Sequence, residues 1–237
     1  MRILHSSDQH GRLDQLVAEL HRPDYEVWVD TGDLLPTRSP WLPELEQAYQ
    51  ERYLTTTGAS LGSLGHTLAE HIAKALSGRP AVLVPGNHDF VNAARILCQA
   101  GANAHNVSTH GLTTINGVVF AGFREIPYID GTWPGEAQDD HLERLVDETV
   151  ELSPHVLLTH APPRGVLDSI PGPNGARIKL GIDALDHGLC YAMPRLRLHC
   201  FGHIHQHGGK ALVRDGITFS NAATRPTGAI YEIRPAG

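Results

Sequence analysis

Five times along this chain a short apolar run ends abruptly in a cluster containing Asp, Asn or His, and that repetition narrows the folds open to it. Ile3-Leu4 runs into Ser6-Ser7-Asp8-Gln9-His10-Gly11, and residues 25–29 run into Asp30-Thr31-Gly32-Asp33. Residues 81–84, bounded by Pro80 and Pro85, deliver Gly86-Asn87-His88-Asp89. Residues 155–158 end in Thr159-His160, and residues 196–201 in Gly202-His203-Ile204-His205. Short apolar runs bounded by turn residues read as buried strands. Helical periodicity follows the first at Leu13, Leu16, Val17 and Leu20, follows the third over 95–99 and precedes the fourth over 138–152. Strands alternating with helices define an α/β fold, and in open α/β sheets ligands bind outside the carboxyl ends of the strands. Clusters far apart in sequence can therefore converge in space.

The order changes between about residues 36 and 79, where helical stretches near 43–55 and 63–77 flank a Thr/Gly/Ser-rich break and read as a helical insertion over the sheet edge. Residues 113–120 read as a hairpin turning at Asn116-Gly117, and the C-terminal region as short strands between Gly-containing turns through Ile230. The whole of 1–237 reads as a single domain carrying that insertion. No apolar run is long enough to span a bilayer and no basic-then-apolar leader precedes Ile3, so a cytoplasmic location without a membrane partner is expected. Cys98, Cys190 and Cys200 lack paired spacing, which argues against a disulfide framework or a thiolate metal site and for reduced, mostly buried thiols.

The net charge of −7 disfavours duplex nucleic acid as a partner, because such binding neutralises many phosphates with Lys and Arg. Carboxylate, amide oxygen and imidazole without thiolate form a donor set suited to Mn²⁺, Fe or Zn²⁺. Asp8 and His10 alternate around Gln9, and His203 and His205 around Ile204, so each pair points to one side if the backbone is extended. A carboxylate such as Asp33 can bridge two cations. Glycines before Asp33, Asn87 and His203 permit sharp turns and close approach. Of the sixteen histidines, His5, His66, His71, His110, His141, His187, His199 and His207 read as surface or packing residues, and Arg38, Arg164 and Arg225 as exposed.

Taken in order, Asp8-Gln9-His10, Gly32-Asp33, Gly86-Asn87-His88-Asp89, Thr159-His160 and Gly202-His203-Ile204-His205 resemble the calcineurin-like metallophosphoesterase signature, and the resemblance covers essentially the whole chain. It implies a four-layer α-β-β-α sandwich of two mixed sheets flanked by helices. It also implies two divalent transition-metal ions, Mn²⁺ foremost, with Fe, Zn²⁺, Ni²⁺ or Co²⁺ as alternatives. By the resemblance, Asp8, His10, Asp33 and His205 bind the first ion and Asp33, Asn87, His160 and His203 the second, with a shared water as nucleophile. His88 is the catalytic residue facing the phosphoryl group, and Asp89 orients or charge-tunes it.

Within that family the serine/threonine phosphatases carry an Asp-Arg-Gly run after the second motif, whereas here Gly32-Asp33 continues as Leu34-Leu35-Pro36-Thr37-Arg38. Thr159-His160-Ala161-Pro162-Pro163-Arg164-Gly165-Val166-Leu167-Asp168, with the later Gly202-His203-Ile204-His205 and Ser220-Asn221-Ala222-Ala223, is similar to the small MPPED-type phosphodiesterases. That likeness implies hydrolysis of a small phosphate ester, a small or cyclic nucleotide diester above all. A phosphomonoesterase or a nuclease with the same metals is the alternative. A non-catalytic scaffold, as in a retromer subunit, is disfavoured because every ligand position is filled.

Overall fold

The computed structural model describes residues 1–56, 66–186, 192–224 and 228–234. The first half of the chain contributes β1 (Arg2–Ser6), α1 (Leu13–Leu20), β2 (Val27–Asp30), α2 (Pro43–Thr55), α3 (Leu68–Leu76), β3 (Ala81–Leu83), α4 (Ala93–Gln99), β4 (Ala104–Asn106) and α5 (Val107–His110). The second contributes β5 (Leu112–Ile115), β6 (Val118–Phe123), β7 (Ile126–Pro127), β8 (Glu136–Ala137), α6 (Asp139–Leu152) and β9 (Val156–Thr159). It closes with β10 (Ser169–Pro171), β11 (Arg177–Lys179), β12 (Leu198–Phe201), β13 (Ala211–Arg214), β14 (Ile217–Asn221) and β15 (Ala229–Glu232).

Two mixed sheets result. One has the order β15-β1-β2-β3-β4, parallel except for β15; the other has the order β13-β14-β12-β9-β6-β5, parallel in the middle with antiparallel strands at both edges. Strand alternation explains the layering, since successive side chains face opposite sides. On β2, Val27 and Val29 join Ile3, Val82, Phe120, Val156 and Leu158 in a core between the sheets. Trp28 faces the other way and packs with Leu16 of α1, Ile72 of α3 and Leu97 of α4. Leu157 of β9 packs outward with Leu142 and Val146 of α6. Three apolar interfaces thus separate four layers, as the resemblance implies. Among the described residues no helix is long and apolar enough to cross a membrane.

Several local expectations change. The helix expected near residue 63 begins at Leu68, because Thr67 and Glu70 form a reciprocal cap that fixes the first turn there. Residues 57–65, including most of the polar break, lie outside the described residues. Helices α2 and α3 lie over the face of the first sheet, sharing a core with Leu4, Trp28 and Leu83, rather than over its edge. Asn116 and Gly117 turn the β5–β6 hairpin with φ of 47° and 80°, the conformation that this dipeptide favours. Cys200 is buried but Cys98 is exposed, against the expectation of burial, because it follows the inward-facing Leu97 on a one-sided helix. His187, Cys190, Arg225 and the side chain of His110 lie outside the described residues.

Two of the packing histidines carry a measurable consequence. His5 lies between the sheets, 2.8 Å from Ser220 Oγ and 3.0 Å from Thr31 Oγ1, and His199 lies 2.8 Å from Thr159 Oγ1. Burial lowers both from 6.5 to about 3. Above pH 6.5 neither folded nor unfolded chain is charged at these positions; below it the unfolded chain takes up protons that the folded chain refuses. Stability is therefore lost as pH falls from about 6.5 toward 3, by up to about 1.4 kcal/mol per pH unit for each histidine. Denaturant unfolding at several pH values across that window should show a shallower pH dependence for the double variant His5→Gln, His199→Gln than for the parent. Equal slopes would contradict this account.

Candidate metal centre

Asp8 and His10 follow β1, Asp33 follows β2, Asn87 and His88 follow β3, His160 follows β9, and His203 and His205 follow β12. All eight meet where the carboxyl ends of the two sheets face each other. His205 Nε2 lies 2.9 Å from Asp8 Oδ1 and 3.4 Å from His10 Nε2. Asp33 Oδ2 lies 3.8 Å from His10 Nε2 and 3.4 Å from His160 Nε2. Asn87 Oδ1 lies 3.0 Å from His160 Nε2 and 3.1 Å from His203 Nδ1. Donors bound at about 2.1 Å to one ion stand about 3.0–3.4 Å apart, so these separations suit shared cations. Three groups of donors have ligand atoms within 4.8 Å of one another: Asp8, His10 and His205; Asp8, Asp33 and His160; and His10, Asp33 and His88. Asp8, Asp33, Asn87 and His160 are buried, His10 and His203 half-buried, and His205 exposed, so the centre opens to solvent on the His10–His205 side.

The backbone reaches this arrangement by a different route from the extended one. Asp8, His10, Asp33 and His203 all have left-handed φ, between 45° and 63°. Asp and His tolerate this region better than most residues, yet four such positions at one centre mark strain held by its surroundings. The Asp8 and His10 amides are pinned to the carbonyls of Gly32 and Asp33, each at 2.8 Å. Alternation along a strand therefore does not aim these pairs; the turns do. The glycines are needed for close approach: a Cβ on Gly86 would collide with Asp33 Oδ1 and come within 2.7 Å of His160 Cε1, and one on Gly202 would collide with Ser7 Oγ and Asp8 Oδ2. Gly32, at φ 97°, packs against the Gly86 backbone.

Hydrogen bonds decide which atoms remain free. Asp8 Oδ2 accepts from Ser7 Oγ at 2.6 Å and from the His203 amide at 3.0 Å, leaving Oδ1 toward the histidines. Asp33 Oδ1 accepts from the His88 amide at 2.7 Å, leaving Oδ2 between His10 and His160. His160 Nδ1 donates to the Thr31 carbonyl at 2.7 Å, so its Nε2 faces Asn87 Oδ1 and Asp33 Oδ2, two acceptors. Neutral His160 would set a lone pair against both oxygens, and only a proton or a cation reconciles them. Without metal a proton does so: burial alone would lower His160, but Asp33 and Asp8 outweigh it and hold it at about 9. Burial would raise Asp33, yet the His160 charge pulls it below the usual carboxylate range. Burial and the charge on His160 push His203 down to about 4. Buried carboxylates partnered by imidazoles, with no Lys or Arg in ion-pair contact among the described residues, fit divalent cations.

His88 is fixed by residues outside the sequence motifs. Gln50, on the buried face of α2, donates to the His88 carbonyl at 2.7 Å and accepts from the Phe90 amide at 2.8 Å. Thr37 Oγ1 donates to the same carbonyl at 3.1 Å and lies 3.2 Å from His88 Nδ1. The hydroxyl proton being spent on the carbonyl, Nδ1–H is the donor of the second bond, and Nε2 is left free. Trp133 lies against the ring with centroids 4.3 Å apart. Arg124 Nη2 donates to the carbonyls of Gly86 and Asp89, at 2.8 and 2.9 Å, bracketing the loop that carries Asn87 and His88. Of the two roles expected of Asp89, orienting the His88 ring is not what its carboxylate does: it accepts from the amides of Gly86, Leu34 and Leu35 and so ties two site loops together. His207 bonds the Ser169 carbonyl and Lys210, away from the centre, and Arg164 pairs with Asp183.

This sandwich, with its Asp/His centre at the strand ends, defines a metallophosphoesterase. A family model for calcineurin-like phosphoesterase matches residues 1–207, and the chain belongs to that family, whose members are metal-dependent hydrolases of phosphoric esters. One solved structure is similar over 94% of this chain and 90% of its own, with TM-score 0.60 and 14% identity. The protein TT1561 of Thermus thermophilus is similar over 94% of this chain and 88% of its own, with TM-score 0.58 and 15% identity. At these identities both show the shared fold. Comparison with curated proteins gives no match.

Proposed function

We propose that the chain is a binuclear phosphodiesterase acting on small nucleotide esters. The observation that carries the binuclear reading is the position of Asp33 Oδ2, facing His10 on one side and His160 on the other while Oδ1 is engaged by the His88 amide. In this reading Asp8, His10, Asp33 and His205 hold one ion, and Asp33, Asn87, His160 and His203 the other. Divalent ions held there, Mn²⁺ foremost, would supply an activated water and positive charge for the phosphoryl group. The chain's own part is to hold these donors, to leave the His10–His205 side open for the ester and to present His88. Burial keeps His88 below its ordinary pKa, and an anionic phosphoryl group beside it would raise it, readying Nε2 to stabilise that group and protonate the leaving oxygen. Preference for diesters rests on the likeness of residues 159–168 and 220–223 to MPPED-type enzymes. The free thiols Cys98 and Cys200 suit the reducing cytoplasm, the location we assign.

Rates on bis-p-nitrophenyl and mono-p-nitrophenyl phosphate with Mn²⁺ test the substrate class. We expect kcat/KM to be higher on the diester by about tenfold or more. Hydrolysis of the monoester alone would overturn the diester reading and leave a phosphomonoesterase.

A further inference from the structure

The outward face of α2 carries an open groove of about 510 Å³, within the range of small-molecule sites, lined in part by Arg38, Tyr49, Arg52 and Tyr53. Its charge is unusual for a chain of net charge −7. Neither the Arg38 nor the Arg52 guanidinium has a carboxylate in ion-pair contact among the described residues, whereas Arg22, Arg95, Arg144 and Arg164 all do. Two of the neighbouring acids are turned elsewhere. Glu46 accepts from the backbone amides of Arg38 and Ser39, and Glu51 pairs with Arg95.

Geometry prepares one of these cations for a ligand. The Arg38 guanidinium stacks on the Tyr49 ring at 4.1 Å, which fixes its plane and leaves its N–H edge available for a two-pronged bond to an anion. The groove also adjoins the metal centre. Tyr53 Oη donates to the carbonyl of Gly11, the residue after His10, at 2.8 Å, and Thr37, the residue before Arg38, bonds His88. We propose that this groove binds a second phosphate of the substrate, so that the preferred esters carry a further phosphate besides the one hydrolysed. Arginine suits this better than lysine because its planar fork matches phosphate oxygens. The proposal rests on the phosphoesterase reading and makes Arg38 and Arg52 specificity-determining residues.

The test compares two diesters with the Mn²⁺-loaded full chain: the thymidine dinucleotide joined 3′ to 5′, and the same molecule with a 5′-terminal phosphate. We expect kcat/KM to favour the phosphorylated form by about tenfold or more, the scale of one charge-assisted contact. The ratio should fall in Arg38→Ala and in Arg52→Ala, collapse to about one in the double variant and survive in part in Arg38→Lys. A ratio near one in the parent, or one unchanged in the double variant, overturns the proposal while hydrolysis of bis-p-nitrophenyl phosphate still upholds the phosphoesterase reading. Absence of hydrolysis of all three diesters would overturn both.

Discussion

Replacing Asp33 by Asn is expected to remove both metal ions together and to lower kcat/KM by at least about a thousandfold, the scale of losing several kcal/mol of cationic stabilisation. Asp33 Oδ2 lies within 4 Å of both His10 Nε2 and His160 Nε2, one from each side of the centre. The amide is nearly isosteric, so Oδ1 can still accept from the His88 amide. Its nitrogen, however, would carry hydrogens where a ligand needs a lone pair, and the negative charge that offsets the cations would be gone. Metal analysis after dialysis is the decisive measurement. Retention of one full equivalent would show that Asp33 serves a single ion and that the bridging assignment is wrong.

His88→Ala is expected to lower kcat by about a hundredfold or more while metal content stays near that of the parent, as befits loss of one acid or electrostatic group. The position tolerates truncation structurally because its backbone bonds to Asp33, Gln50 and Thr37 do not need the ring. The alternative is concrete, since a His88 nitrogen also lies within reach of His10 and Asp33 in a potential ligand group. Loss of about one metal equivalent from the variant would place His88 among the ligands. Retained metal with unchanged kcat would remove it from the chemistry.

The candidate centre was legible in the sequence to the extent that its parts are ionisable or metal-binding residues in short motifs at strand ends. Asp8, His10, Asp33, Asn87, His88, His160, His203 and His205 all carry that mark. Their backbone route was not legible, because an alternating spacing looks the same whether the chain is extended or, as at Asp8 and His10, turns through left-handed φ. Gln50, Thr37 and Arg124 were missed for another reason: they act on main-chain carbonyls, which any polar side chain could do, and only the fold brings them there. Gln50 was doubly hidden, since α2 buries Glu46 and Gln50 beside Leu54 and so lacks a clean apolar stripe. Trp133, an aromatic in a Gly- and Pro-containing loop, was the one missed neighbour with a visible signal. Asp89 shows the converse, a residue whose place beside His88 in sequence suggested contact with its ring, whereas its carboxylate faces the backbone of two other segments.

The fold followed similar limits. The motif-bearing strands β1, β2, β3, β9 and β12 lie within two residues of the runs that mark them, because a fully buried β2 or β9 leaves a continuous apolar run, whereas β4 has no such mark. The short pairs β7–β8 and β10–β11 have no such run and depend on contacts made after folding, among them the bonds from the amides of residues 129–131 and 133 to the Glu136 carboxylate.

Titration of metal-free protein with Mn²⁺, following bound metal and diester hydrolysis together, distinguishes a two-ion centre with seven ligands from a single-ion one. Binding should saturate at two ions per chain, and hydrolysis should reach its plateau only as the second is filled. Saturation at a single ion with full activity, or full activity in the metal-free protein, would contradict the two-ion centre.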